Sequence, residues 1–258
     1  MLTFLRKIRK SLIESGSTRK YLLYAIGEIA LVVMGILIAL QINNWNEDKM
    51  NRREEVLVLD GLEDEFEENL DRVEKSIAAN EATVSAANRL IDIIRSGEPN
   101  AFSEEMDSLV MILSLYSSFD ATMGVVDEVI NSGKLKIIED RKLRTQLTRW
   151  PSVYEESSEI RGDRSNIWSN LFVPTMMKSY SLANGENYID FSTWSERYKV
   201  EKRRKSPFKT KLEEVDLRQL ENVIWQHKYN NHFIIMIELE IETFIIETIG
   251  MIREQKIK

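Results

Sequence analysis

Tyr21-LLYAIGEIALVVMGILIALQ-Ile42 contains no Lys, Arg, Asp, Asn or Pro, and its one acid is Glu28. Twenty-two residues at 1.5 Å rise reach roughly 33 Å, enough for a hydrocarbon core of about 30 Å with slight tilt. The stretch therefore reads as one transmembrane helix, residues 21–42. Ala39-Leu40-Gln41 is followed by Ile42 and two Asn, a poor setting for cleavage, so the reading is an uncleaved anchor and not a signal peptide.

Charge on either side assigns a direction. Residues 1–20 carry six Lys or Arg against Glu14, a net of +5, whereas the chain beyond Ile42 carries a net of −11. The bases that follow the span, Lys49, Arg52 and Arg53, are fewer and mixed with acids. By the positive-inside rule the N-terminus is expected in the cytoplasm and residues 43–258 outside it, which for a bacterial chain means the inner membrane with a periplasmic domain. The acidic domain also argues against nucleic acid as a partner. Within residues 1–20, Leu2, Phe4, Leu5, Ile8 and Leu12 share one side of a helical wheel and Arg6, Lys7, Arg9 and Lys10 the other. Such a segment either lies in anionic headgroups or serves only as a topology-setting tag.

Composition narrows the rest. With 43% hydrophobic residues the chain can build a core, and 10 Gly and 4 Pro are too few for the frequent turns of a sandwich, barrel or propeller. Absence of Cys removes disulfides, thiolate metal sites and cysteine nucleophiles, and two His leave little imidazole chemistry. The expected class is all-α: one membrane helix followed by an antiparallel bundle of about four to six helices.

Tyr24-AIGEIALVVMGILIALQINNWN-Glu47 resembles the N-terminal signature of an uncharacterised bacterial family of single-span membrane proteins, and Asn131-SGK-Leu135 with Leu143, Arg144 and Leu147 is similar to a weaker internal motif of that family. The resemblance implies a membrane address and a fold by analogy. It implies no activity, substrate or catalytic residue.

From Leu59 the apolar positions Leu62, Phe66, Leu70, Val73, Ile77, Val84, Ala87, Ile91 and Ile94 predict one long amphipathic helix, continuous with the span. A period of 3.6 is favoured over 3.5, because a strict heptad would place Asn69 and Ser76 in the seam. Further helices are expected from Ser103 to about Ser117, from Asp120 or Thr122 to Asn131, with Gly133 as left-handed cap, and from Glu139 toward Leu171, kinked or split at Pro151. Residues 174–190 read as irregular, and a short helix is expected near 192–202. The last segment, Leu212 to about Arg253, is too long without Gly or Pro for a strand. It carries a second apolar side, Trp225, Tyr229, Met236, Leu239 and Ile246, so this helix is expected either to be central in the bundle or to contact another protein, with burial the preferred reading.

No catalytic, cofactor or metal site is predicted. Ten acids between Glu54 and Glu74, including the Glu63 and Glu67 pair, read as a solvated face, since the residues three before His227 and His232 are Ile224 and Tyr229 and no Glu-x-x-His motif exists. The eight bases from Arg197 to Lys211 allow three readings: contact with anionic headgroups or polymers, complement to the acidic helix, or a solvated loop. His227 is expected to be a hydrogen-bonded core residue, and the Arg161-Gly162-Asp163 tripeptide lies in a helical context. Within the span, Glu28, Gly35 and Ala39 share a side and suggest helix association, because acids in a bilayer are costly and small-xxx-small spacing lets helices approach. The expected role is a non-enzymatic interaction or scaffold protein whose partners are the lipid bilayer and, through the span, another copy or another membrane protein. The second reading is a sensor-type bundle that binds a small ligand. A reporter active only outside the cytoplasm, fused after Lys258, is expected to be active; activity of a cytoplasm-only reporter there would reverse the orientation.

Overall fold

A computed structural model describes residues 18–98, 103–115, 117–179, 181–188, 204, 206, 207 and 214–257. Among them every regular element is helical: α1 (Thr18–Arg95), α2 (Ser103–Ser114), α3 (Gly124–Asn131), α4 (Arg141–Ile167) and its π-helical extension Trp168–Phe172, α5 (Val173–Ser179), a 3-10 segment Leu182–Tyr188, and α6 (Glu214–Ile257). The basic helix within 1–20, the short helix near 192–202 and all but Arg204, Ser206 and Pro207 of the basic run lie outside the described residues.

The chain divides into two units, Met1–Leu57 and Val58–Lys258. In the first, α1 presents Leu22, Ile29, Leu31, Val32, Leu37 and Ile42 without cover. It is the one helix among the described residues that is long and apolar enough to cross a bilayer, and none of its apolar window is buried.

In the second unit two helices set the architecture, and both follow a heptad. On α1 the buried positions are Leu59, Leu62, Phe66, Asn69, Val73, Ser76, Asn80, Thr83, Ala87, Leu90 and Ile94, alternating in steps of three and four. The 3.6 period expected from the sequence is therefore corrected to 3.5: Asn69 and Ser76 do occupy the seam, because each finds a hydrogen-bond partner there. α6 repeats the pattern with Leu220, Ile224, His227, Asn231, Ile234, Glu238, Ile241, Ile245, Thr248, Ile252 and Gln255. The two helices run in opposite directions, as Arg95 meets Glu221 at 2.6 Å, Lys228 meets Asn88 at 3.0 Å and Lys256 meets Asp60 at 2.6 Å.

The apolar core falls into two clusters. One gathers Leu59, Leu62, Phe66 and Val73 with Ile241, Ile245 and Ile252 around Trp150, whose ring lies 5.4 Å from Phe66 and 5.6 Å from Phe244. The other gathers Ala87, Leu90 and Ile94 with Leu113, Phe172, Leu220 and Ile224. Of the expected kink or split at Pro151, the split does not occur: α4 passes through Pro151 as one helix. Trp150, fully buried and packed against α1 and α6, holds the turn on which the proline removes a hydrogen bond. Of residues 174–190, expected to be irregular, 174–179 and 182–188 are helical, with Pro174 directly after the π-helical turn in a helix that continues from α4.

Between the clusters lies a polar layer. Arg164 of α4, 2% exposed, donates from Nη1 to Asn80 Oδ1 at 2.8 Å and Asn231 Oδ1 at 3.3 Å, and from Nη2 to the Ser117 carbonyl. Glu238 of α6 accepts from the Ser76 hydroxyl at 2.7 Å, Asn80 Nδ2 at 3.1 Å and the Phe119 amide at 3.3 Å. The Asn80 amide thus bridges a buried cation and a buried anion. α1 extends the same service along its length: Asn69 accepts from the Thr122 amide at 2.8 Å and donates to the Thr122 carbonyl at 2.8 Å. Glu65 accepts from the Val125 and Val126 amides at 2.7 and 3.1 Å. α3 starts at Gly124, with no side-chain cap from Met123 before it, so its cap comes from α1 and not from Asp120 or Thr122. Gly133, with φ 75° beyond the C-terminus of α3, takes the left-handed position as expected.

His227 lies in the same layer, stacked on Phe172 at 4.9 Å and 3% exposed. The expected hydrogen bond is not closed: neither ring nitrogen has a partner at good hydrogen-bond geometry, and the Leu113 carbonyl is the backbone group that acts on the ring. Burial, then the Arg164 charge, pushes its pKa down to about 4, with the Leu113 carbonyl opposing them weakly. Glu238 is pushed the other way, raised by burial against the hydrogen bonds from Ser76, Asn80 and Phe119 and the Arg164 charge. A folded-state pKa below the unfolded one makes neutral His227 favourable above pH 6.5, and that contribution is lost as pH falls toward about 4. The loss reaches about 3 kcal/mol by the usual conversion. Glu238, whose raised pKa makes proton uptake favour the fold, acts in the opposite sense. In urea unfolding of the full chain, His227→Leu is expected to flatten the fall in stability between pH 6.5 and pH 5.5, above the range where most surface carboxylates titrate; a slope equal to the wild type would show that the imidazole is not the group responsible.

Candidate interaction surfaces

α1 places Glu28, Gly35 and Ala39 on one side, seven and four residues apart, which are two turns and one turn of helix. Gly35 and Ala39 are exposed and Glu28 is half-buried. A Cβ added at Gly35 would meet nothing within 4 Å, so nothing in the chain's own packing requires a glycine there. The three expected residues thus form an open strip and not an enclosed site.

The acidic start of the second unit is met by α6. Arg253 Nε lies 2.6 Å from Glu63 and Lys256 Nζ lies 2.6 Å from both Asp60 and Glu63. Hydrogen bonds from Lys256 and then Arg253 lower the Glu63 pKa, and the same pairing raises those of Arg253 and Lys256. Much of this acidic face is therefore ion-paired rather than simply solvated. Among the described residues no group of three or more His, Asp or Glu is arranged to hold a metal ion. Arg161 turns inward, over the Tyr154 ring at 4.4 Å and onto Ser157 Oγ at 2.6 Å, which leaves the Arg161-Gly162-Asp163 tripeptide no adhesion-like presentation.

On the outside of α6 the expectation of burial fails. Trp225, Tyr229, Met236, Leu239 and Ile246 are exposed, Met236 by 58%. With His232, Thr243 and Gly250, also exposed, they advance in steps of four and three, a second heptad seam on the side away from the buried one. Trp225 stacks on Tyr229 at 5.2 Å, and Phe233 meets Tyr229 edge-on at 4.9 Å. Sequence periodicity located both apolar sides of α6. It did not separate them, because the inner seam contains His227, Asn231, Glu238, Thr248 and Gln255 and is no more apolar than the outer one.

A cavity of about 290 Å³ lies between α2, the π-helical turn and the 3-10 segment, lined by Asp107, Met111, Ser114, Trp168, Leu182 and Gly185. It was not legible in the sequence, since its walls come from three separate elements. Its lining is mostly apolar, and the Ser114 hydroxyl is already bonded to the Val110 carbonyl at 2.8 Å. At Gly185 an added Cβ would fall 2.6 Å from Met111 Sδ, so glycine permits the 3-10 segment to close on α2.

Neither the curated proteins nor the solved structures contain a match to this chain. A family of unknown function (DUF6090) matches residues 28–158, from Glu28 through α2 and α3 into α4. That region holds the open strip on α1, the polar residues of its seam and the segment they bind, and the chain belongs to this family.

Proposed function

We propose that the chain is a membrane-anchored, non-enzymatic interaction or scaffold protein of the bacterial cell envelope. In this reading residues 1–20 are cytoplasmic, residues 21–42 cross the inner membrane once, and residues 43–258 form an antiparallel helical bundle in the periplasm. The observation that carries it is the outer seam of α6. A helix face that looks away from its own core is normally polar, and an exposed row of large apolar residues from Trp225 to Ile246, interrupted only by His232 and Thr243, is a feature of surfaces that other proteins cover. The uncovered apolar window of α1 and the +5 charge before it support the anchor and its direction. Glu28, Gly35 and Ala39 supply a second contact strip inside the bilayer, where small residues let a partner helix approach and a carboxyl is costly unless it meets one.

The cavity beside Asp107 favours a second reading, a sensor-type bundle that takes a small, mainly apolar ligand and signals through a membrane partner.

Affinity capture of the full-length chain from membranes in mild detergent tests the first reading. The wild type is expected to retain a stoichiometric partner or a second copy, and Glu28→Leu with Gly35→Leu, or Tyr229→Lys with Met236→Lys, to lose a large share of it. An unchanged helical circular dichroism spectrum and thermal transition in both double variants is expected, so that such a loss reports on association and not on folding. A wild type recovered alone at every detergent concentration would contradict the proposal.

A further inference from the structure

The outer seam of α6 has the period of a coiled-coil surface, and that period restricts its occupant to a helix carrying the same steps of three and four. Trp225, Tyr229, Met236, Leu239 and Ile246 contribute the apolar contacts, and between Tyr229 and Leu239 the one titratable residue on this side is His232, Glu238 being buried on the other. We propose that the occupant is α6 of a second copy of this chain, so that two seams close on each other about a two-fold axis near Met236. This rests on the interaction reading above and names its partner.

Three observations support a second copy. Size is the first. The exposed fractions of the seam's large side chains amount to roughly 600 Å² per copy and about 1,200 Å² for two, the lower edge of stable protein interfaces. Shape is the second. A two-fold interface requires one patch that complements itself, and a straight heptad seam does so whether the two helices run parallel or antiparallel, with Met236 near the middle in both cases. Charge is the third. The seam is flanked toward its C-terminal half by Glu240, Glu242 and Glu247, the opposite of the basic flanks that hold an amphipathic helix on anionic lipid. Confinement to one bilayer would add to the pairing by raising the effective concentration of the copies.

The chain contains no Cys, so single cysteines report without background. Full-length Met236→Cys, in membranes and treated with a short bis-maleimide, is expected to run mainly as a species of twice the chain mass. Lys75→Cys, exposed on the outside of α1, is expected to give at least several-fold less. Independently, Met236→Glu with Leu239→Glu should move the detergent-solubilised chain from dimer to monomer by light scattering, with an unchanged helical circular dichroism spectrum. Equal, low crosslinking at both cysteines together with a wild-type monomer would overturn the proposal. So would loss of a different captured protein in the glutamate variant without self-crosslinking at Met236, and in that case the interaction reading stands while the second copy fails.

Discussion

The Asn80 side chain gives its carbonyl to Arg164 and its amide to Glu238, and this bridge between two buried charges is the constraint on which the rest of the second unit depends. Each charge alone would be costly in the core. An unpartnered one left by removing its mate costs about 3–5 kcal/mol. Together they join α1, α4 and α6 at one level, since Asn80, Arg164 and Glu238 belong to three different helices. Heptad seams made only of Leu and Ile slide by one repeat at little cost, whereas a polar layer is satisfied in one register only. The bridge therefore fixes which residue of α6 faces which residue of α1, and the surface ion pairs at Asp60, Glu63 and Arg95 follow from that choice.

The same layer explains how residues 117–123, which have no regular structure, pack against the core through the buried Phe119. Backbone groups in such a stretch need partners. Here they come from side chains: Arg164 for the Ser117 carbonyl, Glu238 for the Phe119 amide, Asn69 for both backbone groups of Thr122, and Glu65 for the amides that open α3.

Much of this was legible in the sequence and some was not, for identifiable reasons. Tyr21 to Ile42 and the helix after Leu59 announce themselves by apolar run and by spacing, and the long final helix by its lack of breakers. Asn69 and Ser76 misled, because polarity at a seam position counts against a heptad unless the partner is known, and the partners are the backbone of Thr122 and the carboxylate of Glu238. At Pro151 the helix does not split, because Trp150, buried beside it, packs against Phe66 and Phe244. Pro174 and Asn184-Gly185 read as turn residues, yet Pro174 follows the π-helical turn and Gly185 lies against Met111. The outer seam was visible as an apolar side. Only tertiary structure could show which of two comparable sides the bundle covers.

Hydrogen exchange of the full-length chain tests the central claim, that side chains of α1 and α6 hold the backbone between Phe119 and Val126 as firmly as a helix holds its own. The amides of Phe119, Thr122, Val125 and Val126 are expected to exchange only through global unfolding, at the rate of the core amides of α6. Exchange of those four amides at the fast rates of an exposed loop, while the core of α6 stays protected, would contradict the account.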